Sequence, residues 1–238
     1  MRALIQALDM SANNLANANT AGFKTDREFF NLYVAPEAQA SGDTMGSAPT
    51  TVPVIGKQYT DFSQGLLVHT GSPLDLALSG KGFFAANGPA GPLYTRNGNF
   101  KLSPQGILVT HEGYPLRTQD NKPIQTQSTN PLEVTPEGEV LQSGQSLGKL
   151  ELVAFSDMAA LEKQGNNYFK LGDPGIKPAP ATDAQVEQAK LENSNVSSAD
   201  AAVRLVGIMR QFEMLQKAVL LSGEMNKHAI EEVARVGQ

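Results

Sequence analysis

Two segments with helical periodicity sit at opposite ends of this chain and enclose a long stretch of β-type sequence broken by Gly and Pro. In residues 1–19, Leu4, Ile5, Leu8, Ala12 and Leu15 fall inside an arc of about 100°, the width of an amphipathic helix face. That helix is predicted to stop near Asn17-Ala18-Asn19-Thr20-Ala21-Gly22, where Asn and Gly tolerate a left-handed cap. From Ser198 to about Val236, Leu205, Ile208, Phe212, Leu215 and Val219 step by 3, 4, 3 and 4, a heptad seam. Its continuation meets the polar Ser222 and Asn226 before Val233. Asp200 near the front and Lys227 and His228 near the back suit the helix dipole. Met1, Leu4, Leu8, Ser11, Leu15 and Ala18 keep the same spacing, so the two helices are expected to pair. Spacing alone leaves two arrangements open: a helical hairpin closed within one chain, or stripes buried against neighbouring chains. The predicted class is α+β, a mainly β body with hairpins plus paired N- and C-terminal helices forming a coiled-coil-like terminal domain.

Between the ends, composition changes twice. Residues 35–60 shift to Ala, Ser, Thr, Gly and Pro and read as an extended connector. Residues 61–172 carry short apolar or alternating runs separated by turn signals, the pattern of a compact all-β body. Leu102-Ser103-Pro104-Gln105-Gly106-Ile107 and Val134-Thr135-Pro136-Glu137-Gly138-Glu139 echo each other, and each is predicted to be a hairpin apex. Residues 173–194 return to Pro-rich and then polar sequence and read as a return connector.

Little in the chain suggests chemistry. The net charge of −5 is spread without long runs, so no basic face is offered to nucleic acid. The absence of Cys excludes disulfides, thiolate metal sites and a thiol nucleophile. His69, His111 and His228 stand far apart, and neither His-Glu-x-x-His nor a Gly-x-Ser-x-Gly elbow occurs. Ser79-Gly80-Lys81-Gly82-Phe83-Phe84 lacks the full phosphate-loop pattern and reads as a tight turn feeding a strand. Asp75, an acid inside an apolar run, is expected to accept hydrogen bonds at a strand entrance, with Arg96 as its partner. No catalytic residue, cofactor, metal or small-molecule substrate is expected. No window is long and apolar enough for a membrane span, and Met1-Arg2-Ala3-Leu4-Ile5-Gln6 does not read as a signal peptide.

Specific words then accumulate. Asn13-Asn14-Leu15-Ala16-Asn17, followed by Thr20, Gly22, Phe23 and Lys24, resembles the N-terminal signature of the bacterial flagellar rod and hook proteins, Asn-Asn-Leu-Ala-Asn-x-x-Thr-x-Gly-Phe-Lys. Phe62 to Gly65, Thr70 to Ala77, Gly80 to Phe84 and Tyr94 to Phe100 resemble the central β domain of that family. Leu191-Glu192-Asn193 with Ser194, Asn195 and Val196, followed by a long helix, resembles its C-terminal signature. Within the family, Arg210 to Met214 and the modest length are more similar to proximal rod members than to distal rod or hook members. The chain departs from the pattern at the front, where the family helix usually begins further upstream.

The resemblance implies a non-enzymatic subunit of the flagellar basal-body rod, which spans the periplasm. It would be exported by the flagellar type III apparatus without a cleaved signal peptide and assembled helically with its own copies and other rod proteins. Residues 1–34 with 195–238 would form the terminal domain D0, and residues 61–172 a D1-like body. Leu4, Leu8 and Leu15 with Leu205, Ile208, Phe212, Leu215 and Val219 would make the assembly contacts. The family's export-gate motif, Phe followed four residues later by an apolar residue, is met by Phe29 with Tyr33 or Phe30 with Val34, which also suit a plain hydrophobic anchor. A secreted β-rich adhesin or glycan-binding module is the competing class. It is disfavoured by aromatic content of only 6% and no Trp, and a hydrolase has no convincing catalytic set.

Overall fold

The computed structural model describes residues 2–34, 51–120, 122–126, 130–165, 167–173 and 175–236, with side chains left undescribed at residues 2, 28–57 and 229–236. The described chain forms two compact units: a helical one (residues 1–16, 26–59 and 198–238) and a β body (residues 17–25 and 60–197).

In the helical unit, helix α1 runs Arg2–Ala16 and helix α2 runs Ser198–Val236. α1 gives way to the Asn/Gly cap where expected, and Asp200 lies in the first turn of α2. The two helices pack together. Strand Asp26–Val34 pairs with strand Thr51–Thr60 in a two-stranded sheet, so the end of the expected connector 35–60 is a strand. Its Val, Ile, Tyr and Thr residues favour the pleated backbone despite Pro53. Asn14 ties the end of α1 to that sheet: its Nδ2 donates to the Asp26 carbonyl at 2.9 Å, and its Oδ1 accepts from the Asp26 amide at 3.1 Å.

The body is built on a six-stranded antiparallel sheet. Its order is Leu161–Lys163, Tyr168–Leu171, Gly91–Thr95, Phe83–Gly88, Leu152–Ala154 and Ala179–Pro180. Strand Phe83–Gly88 is apolar at four successive positions because it lies between two cores. Phe84 and Ala86 face a cluster with Leu76, Leu78, Phe100, Leu116 and Val140, whereas Phe83 and Ala85 face one with Tyr94, Val153, Phe155 and Phe169. The period-2 alternation of a strand sorts them. Both predicted apices are hairpin turns: Gly106 (φ 75°) closes Phe100–Leu102 onto Leu108–Thr110, and Gly138 (φ 83°) closes Leu132–Val134 onto Glu139–Gln142.

The structure differs from the expected return connector at residues 173–194. Gln185–Gln188 pairs with Leu76–Ser79, and Lys190–Glu192 pairs with Leu67–His69. These strands are short and their partners lie more than a hundred residues earlier in the chain, so no local pattern announces them. Between them Ala189 takes φ 59°, donates its N–H to the Asp75 carbonyl, and accepts from Thr70 N. A left-handed conformation strains a residue with a Cβ. Ala189→Gly is therefore expected to stabilise the body by about 0.5–1 kcal/mol after the entropy cost of Gly, read as a higher urea midpoint at unchanged slope.

Candidate functional site

The N-terminal signature word divides between the units. Asn13, Asn14, Leu15 and Ala16 finish α1, whereas Asn17, Thr20, Gly22, Phe23 and Lys24 belong to the body. Two successive turns carry the chain across the latter residues. Thr20 N donates to the Asn17 carbonyl at 3.1 Å, and Phe23 N donates to the Thr20 carbonyl at 3.2 Å. Gly22 has φ 69°, and a Cβ there would lie 2.3 Å from Asn97 N, so only glycine permits this approach.

Within the body this word meets the C-terminal signature. The Gly22 N–H donates to the Glu192 carbonyl at 2.7 Å, and the Asn195 N–H donates to the Phe23 carbonyl at 3.4 Å. Asn195 Oδ1 accepts from both Thr25 N and Thr25 Oγ1, at 2.8 and 2.6 Å, while its Nδ2 donates to the Asp61 carbonyl at 2.7 Å. Ser194 is buried, and its Oγ accepts from Val196 N. The Asp61 N–H donates to the Thr25 carbonyl at 2.8 Å, bringing residue 61 back beside residue 25. Phe23 is covered by Lys163, whose Nζ stands 4.4 Å from the ring centroid and donates to the Lys24 carbonyl at 2.7 Å.

At the centre of this junction is a buried charge triad. Glu192 Oε1 accepts from Lys24 Nζ at 2.6 Å and from Gly65 N at 2.8 Å, and its Oε2 accepts from Arg96 Nη1 at 3.1 Å. The side chains of Lys24 and Glu192 are fully buried, and that of Arg96 is 4% exposed. Lys24 Nζ also donates to the Ser63 carbonyl, and Arg96 donates to the carbonyls of Leu78 and Gly80. Burial pulls both cations below their ordinary pKa values, and the Glu192 carboxylate opposes that shift. Removing one partner from a buried ion pair costs about 3–5 kcal/mol, because the other charge is left without its solvent or its partner.

This geometry corrects the expected Asp75–Arg96 pair. Arg96 is taken by Glu192, while Asp75 Oδ1 accepts from Asn99 Nδ2 at 3.0 Å. Asn99 lies beside Asp75 on an isolated antiparallel bridge, whereas Arg96 is turned towards the C-terminal strand. Glu192 was legible only as part of the signature word, since nothing local marks it as the anion for two distant cations. Among the described residues, no cluster of His, Asp and Glu is arranged to hold a metal, and no helix is long and apolar enough to cross a membrane.

The assembly candidates lie in the helical unit. Ile208 is buried, and Leu205, Phe212 and Leu215 are half-buried, but Val219 is 56% exposed. On α1 the candidates Leu4, Leu8 and Leu15 are half-buried, and the most covered side chains are Ala7, Met10 and Ser11. Sequence reading gave Ala7 and Met10 no weight, because the leucine stripe drew attention to the adjacent side of the helix. The export-gate candidates Phe29, Phe30, Tyr33 and Val34 lie on strand Asp26–Val34, and their side chains fall outside the described residues.

Helix α2 also carries a second apolar face. Val203, Met214, Leu221 and Met225 fall within about 40° of one another, on the far side from the seam, and their exposures are 74%, 63%, 59% and 72%. A helix that is apolar on opposite sides is one that is surrounded when buried. The fifteen residues of α1 span about 22 Å against about 58 Å for the 39 of α2. α1 packs against α2, and these four side chains remain exposed beside it.

Comparison with known proteins gives three family matches in chain order. Residues 1–24 match the flagella basal body rod protein family, residues 77–142 the flagellar hook protein FlgE/F/G D1 domain, and residues 187–231 the flagellar basal body rod FlgEFG protein C-terminal region. The flagellar basal-body rod protein FlgF of Caulobacter vibrioides is 34% identical over 98% of this chain and 94% of its own length. FlgF of Mesorhizobium japonicum is 34% identical over 89% of this chain and 85% of its own. The rod protein FlgG of Buchnera aphidicola from Schizaphis graminum is 31% identical over 92% and 90%.

Proposed function

The chain belongs to the flagellar basal-body rod protein family, and from that premise we propose that it is a structural subunit of the rod that polymerises helically through its terminal helices and transmits torque. The observation that carries this reading is the second apolar face of α2, for which α1 offers no cover. Val203, Met214, Leu221 and Met225 would be buried by helices of neighbouring copies or of other rod proteins. The seam of Leu205, Ile208, Phe212 and Leu215 with Leu4, Leu8 and Leu15 would fix the pairing of α1 on α2, and Val219 would extend it into the contact between subunits. The junction of the two signatures keeps the body rigid under load. A place among FlgF members is supported by the two FlgF relatives and by the segment Arg210 to Met214. The matched family and relatives are named as flagellar hook and basal-body rod proteins, which supports a non-enzymatic role.

An adhesin would present exposed aromatics, whereas Phe83, Phe84, Phe100, Phe155 and Phe169 are all buried in the two cores. The subunit reading is tested by an in-frame deletion of the gene, scored by swimming and by electron microscopy of extracted basal bodies. Non-motile cells with rings but an absent or shortened rod are the expected result; motile cells with complete rods would overturn it. Export by the flagellar type III apparatus carries its own test. Phe29→Ala with Phe30→Ala is expected to abolish secretion while the purified protein keeps its circular dichroism spectrum, and normal secretion would remove the gate role.

A further inference from the structure

The ten residues from Gln185 to Ser194, with Asn195, touch nearly every early part of the body. They pair with Leu76–Ser79 and Leu67–His69, bond Gly22, Phe23 and Thr25, and return to Asp61 and Leu66. Within that segment, Glu192 is the acid bonded to both Lys24 and Arg96, which precede it by 168 and 96 residues; Asp61 adds a weaker pull on Lys24. Both cations lie in the interior. Arg96 is also tied to the aromatic core, its guanidinium carbon standing 5.4 Å from the centroid of Phe83. Phe83 in turn packs edge-on against Phe62 and Phe169, with ring centroids 5.6 and 5.7 Å away.

We propose that Glu192 is a charge latch that times the folding of the body: until it arrives, Lys24 and Arg96 stay hydrated and the aromatic core beneath Arg96 stays open. The argument is one of sign. A chain lacking Glu192 that closed around Lys24 and Arg96 would bury both cations against carbonyl groups and an aromatic ring without the carboxylate that bonds them, with only the weaker pull of Asp61 on Lys24. Closure with Glu192 converts both into bonded partners in one step. Because the contacts span most of the chain, loop closure precedes any gain from them, which makes the event late and cooperative. If the subunit is exported as proposed above, the latch keeps the body extended until residue 192 of 238 has emerged.

The absence of cysteine makes a direct test possible in the full chain. Two single reporters are needed: Ala85→Cys in the aromatic core and Ser194→Cys beside the latch, where the native residues are 2% and 9% exposed. Thiol labelling during refolding from urea is expected to show both positions becoming protected in the same kinetic phase. Protection at position 85 ahead of position 194 would overturn the latch, since the core would then close without it. Adding Glu192→Gln to the Ala85→Cys protein is expected to raise labelling in native buffer by about tenfold or more, as local opening becomes common. Unchanged labelling would overturn the proposal.

A third variant separates charge from shape. Lys24→Met and Arg96→Met, combined with Glu192→Gln, remove the three charges of the triad at roughly constant side-chain volume, and are expected to restore protection at position 85. If that neutral protein labels as readily as Glu192→Gln alone, or fails to fold, Glu192 serves packing and the latch is refuted. All three measurements use the purified chain, so they stand or fall separately from the role in the rod.

Discussion

Gly98→Ala is expected to unfold the body, with a loss of about 4 kcal/mol or more, at the far end of what single substitutions do. The position follows strand Gly91–Thr95 and faces Leu76 at the start of a buried strand. The Leu76 N–H donates to the Gly98 carbonyl at 3.0 Å, and a Cβ on residue 98 would lie 1.4 Å from the Leu76 carbonyl oxygen. Nothing flexible stands there to yield, since the obstacle is backbone. Leu76 and Leu78, both essentially without exposure, would be levered out of the larger core, and Asp75 would move away from Asn99. Gly113→Ala is the matched control. Its φ of 96° disfavours a side chain, but a Cβ there meets no atom within 4 Å, so the cost is about 1–2 kcal/mol of backbone strain alone. Urea unfolding followed by circular dichroism measures both; a Gly98→Ala protein as stable as Gly113→Ala would mean that the close approach is not a constraint.

The second large effect concerns assembly. Leu221→Asp with Met225→Asp is expected to leave the monomer spectrum and urea midpoint unchanged, because these side chains are 59% and 72% exposed, while polymerisation is lost. Burying one large apolar side chain is worth about 1.5–3 kcal/mol, so two of them raise the concentration needed for polymer by about 100-fold or more. Sedimentation of purified protein over a concentration series, and rod length in cells carrying the double variant, read the effect. Ile208→Asp provides the contrast. Ile208 is 8% exposed, so its replacement puts a charge into the helical unit and lowers the monomer's own stability. A double variant that still builds full-length rods would show that the outer face of α2 is not an interface.

How much of this was legible depended on the range of the interaction. Helical periodicity is local, and the limits of α2 and the stop of α1 before Asn17 follow directly from it. The Pro-x-Gly turns at Pro104–Gly106 and Pro136–Gly138 were equally readable, because a turn is specified by four neighbouring residues. Residues 173–194 were not: Gln185–Gln188 and Lys190–Glu192 have polar compositions that suit a connector, and their strand character comes from partners at 67–79. The triad shows the same limit. Asp75, an acid inside an apolar run, was expected to pair with Arg96, yet the anion for Arg96 lies 96 residues downstream. On α2 the heptad seam was visible, but a single-face reading passed over Val203, Met214, Leu221 and Met225, because apolar residues on both sides of a helix blur its amphipathic contrast.

The hydrogen bond from Asp61 to Thr25 has a consequence for how such chains can diverge. It brings together the points at which residues 26–59 leave the body and return to it, only 2.8 Å apart from amide to carbonyl. A segment pinned at its base in this way is an appendix to the body's topology. Lengthening it adds only the slow logarithmic penalty of a longer loop, about 0.6 kcal/mol for each doubling, and moves none of the residues that pack the two cores. Insertions and deletions between residues 26 and 59 can therefore accumulate without disturbing the body, so that lineages can vary this part of the helical unit while the body's own framework stays fixed.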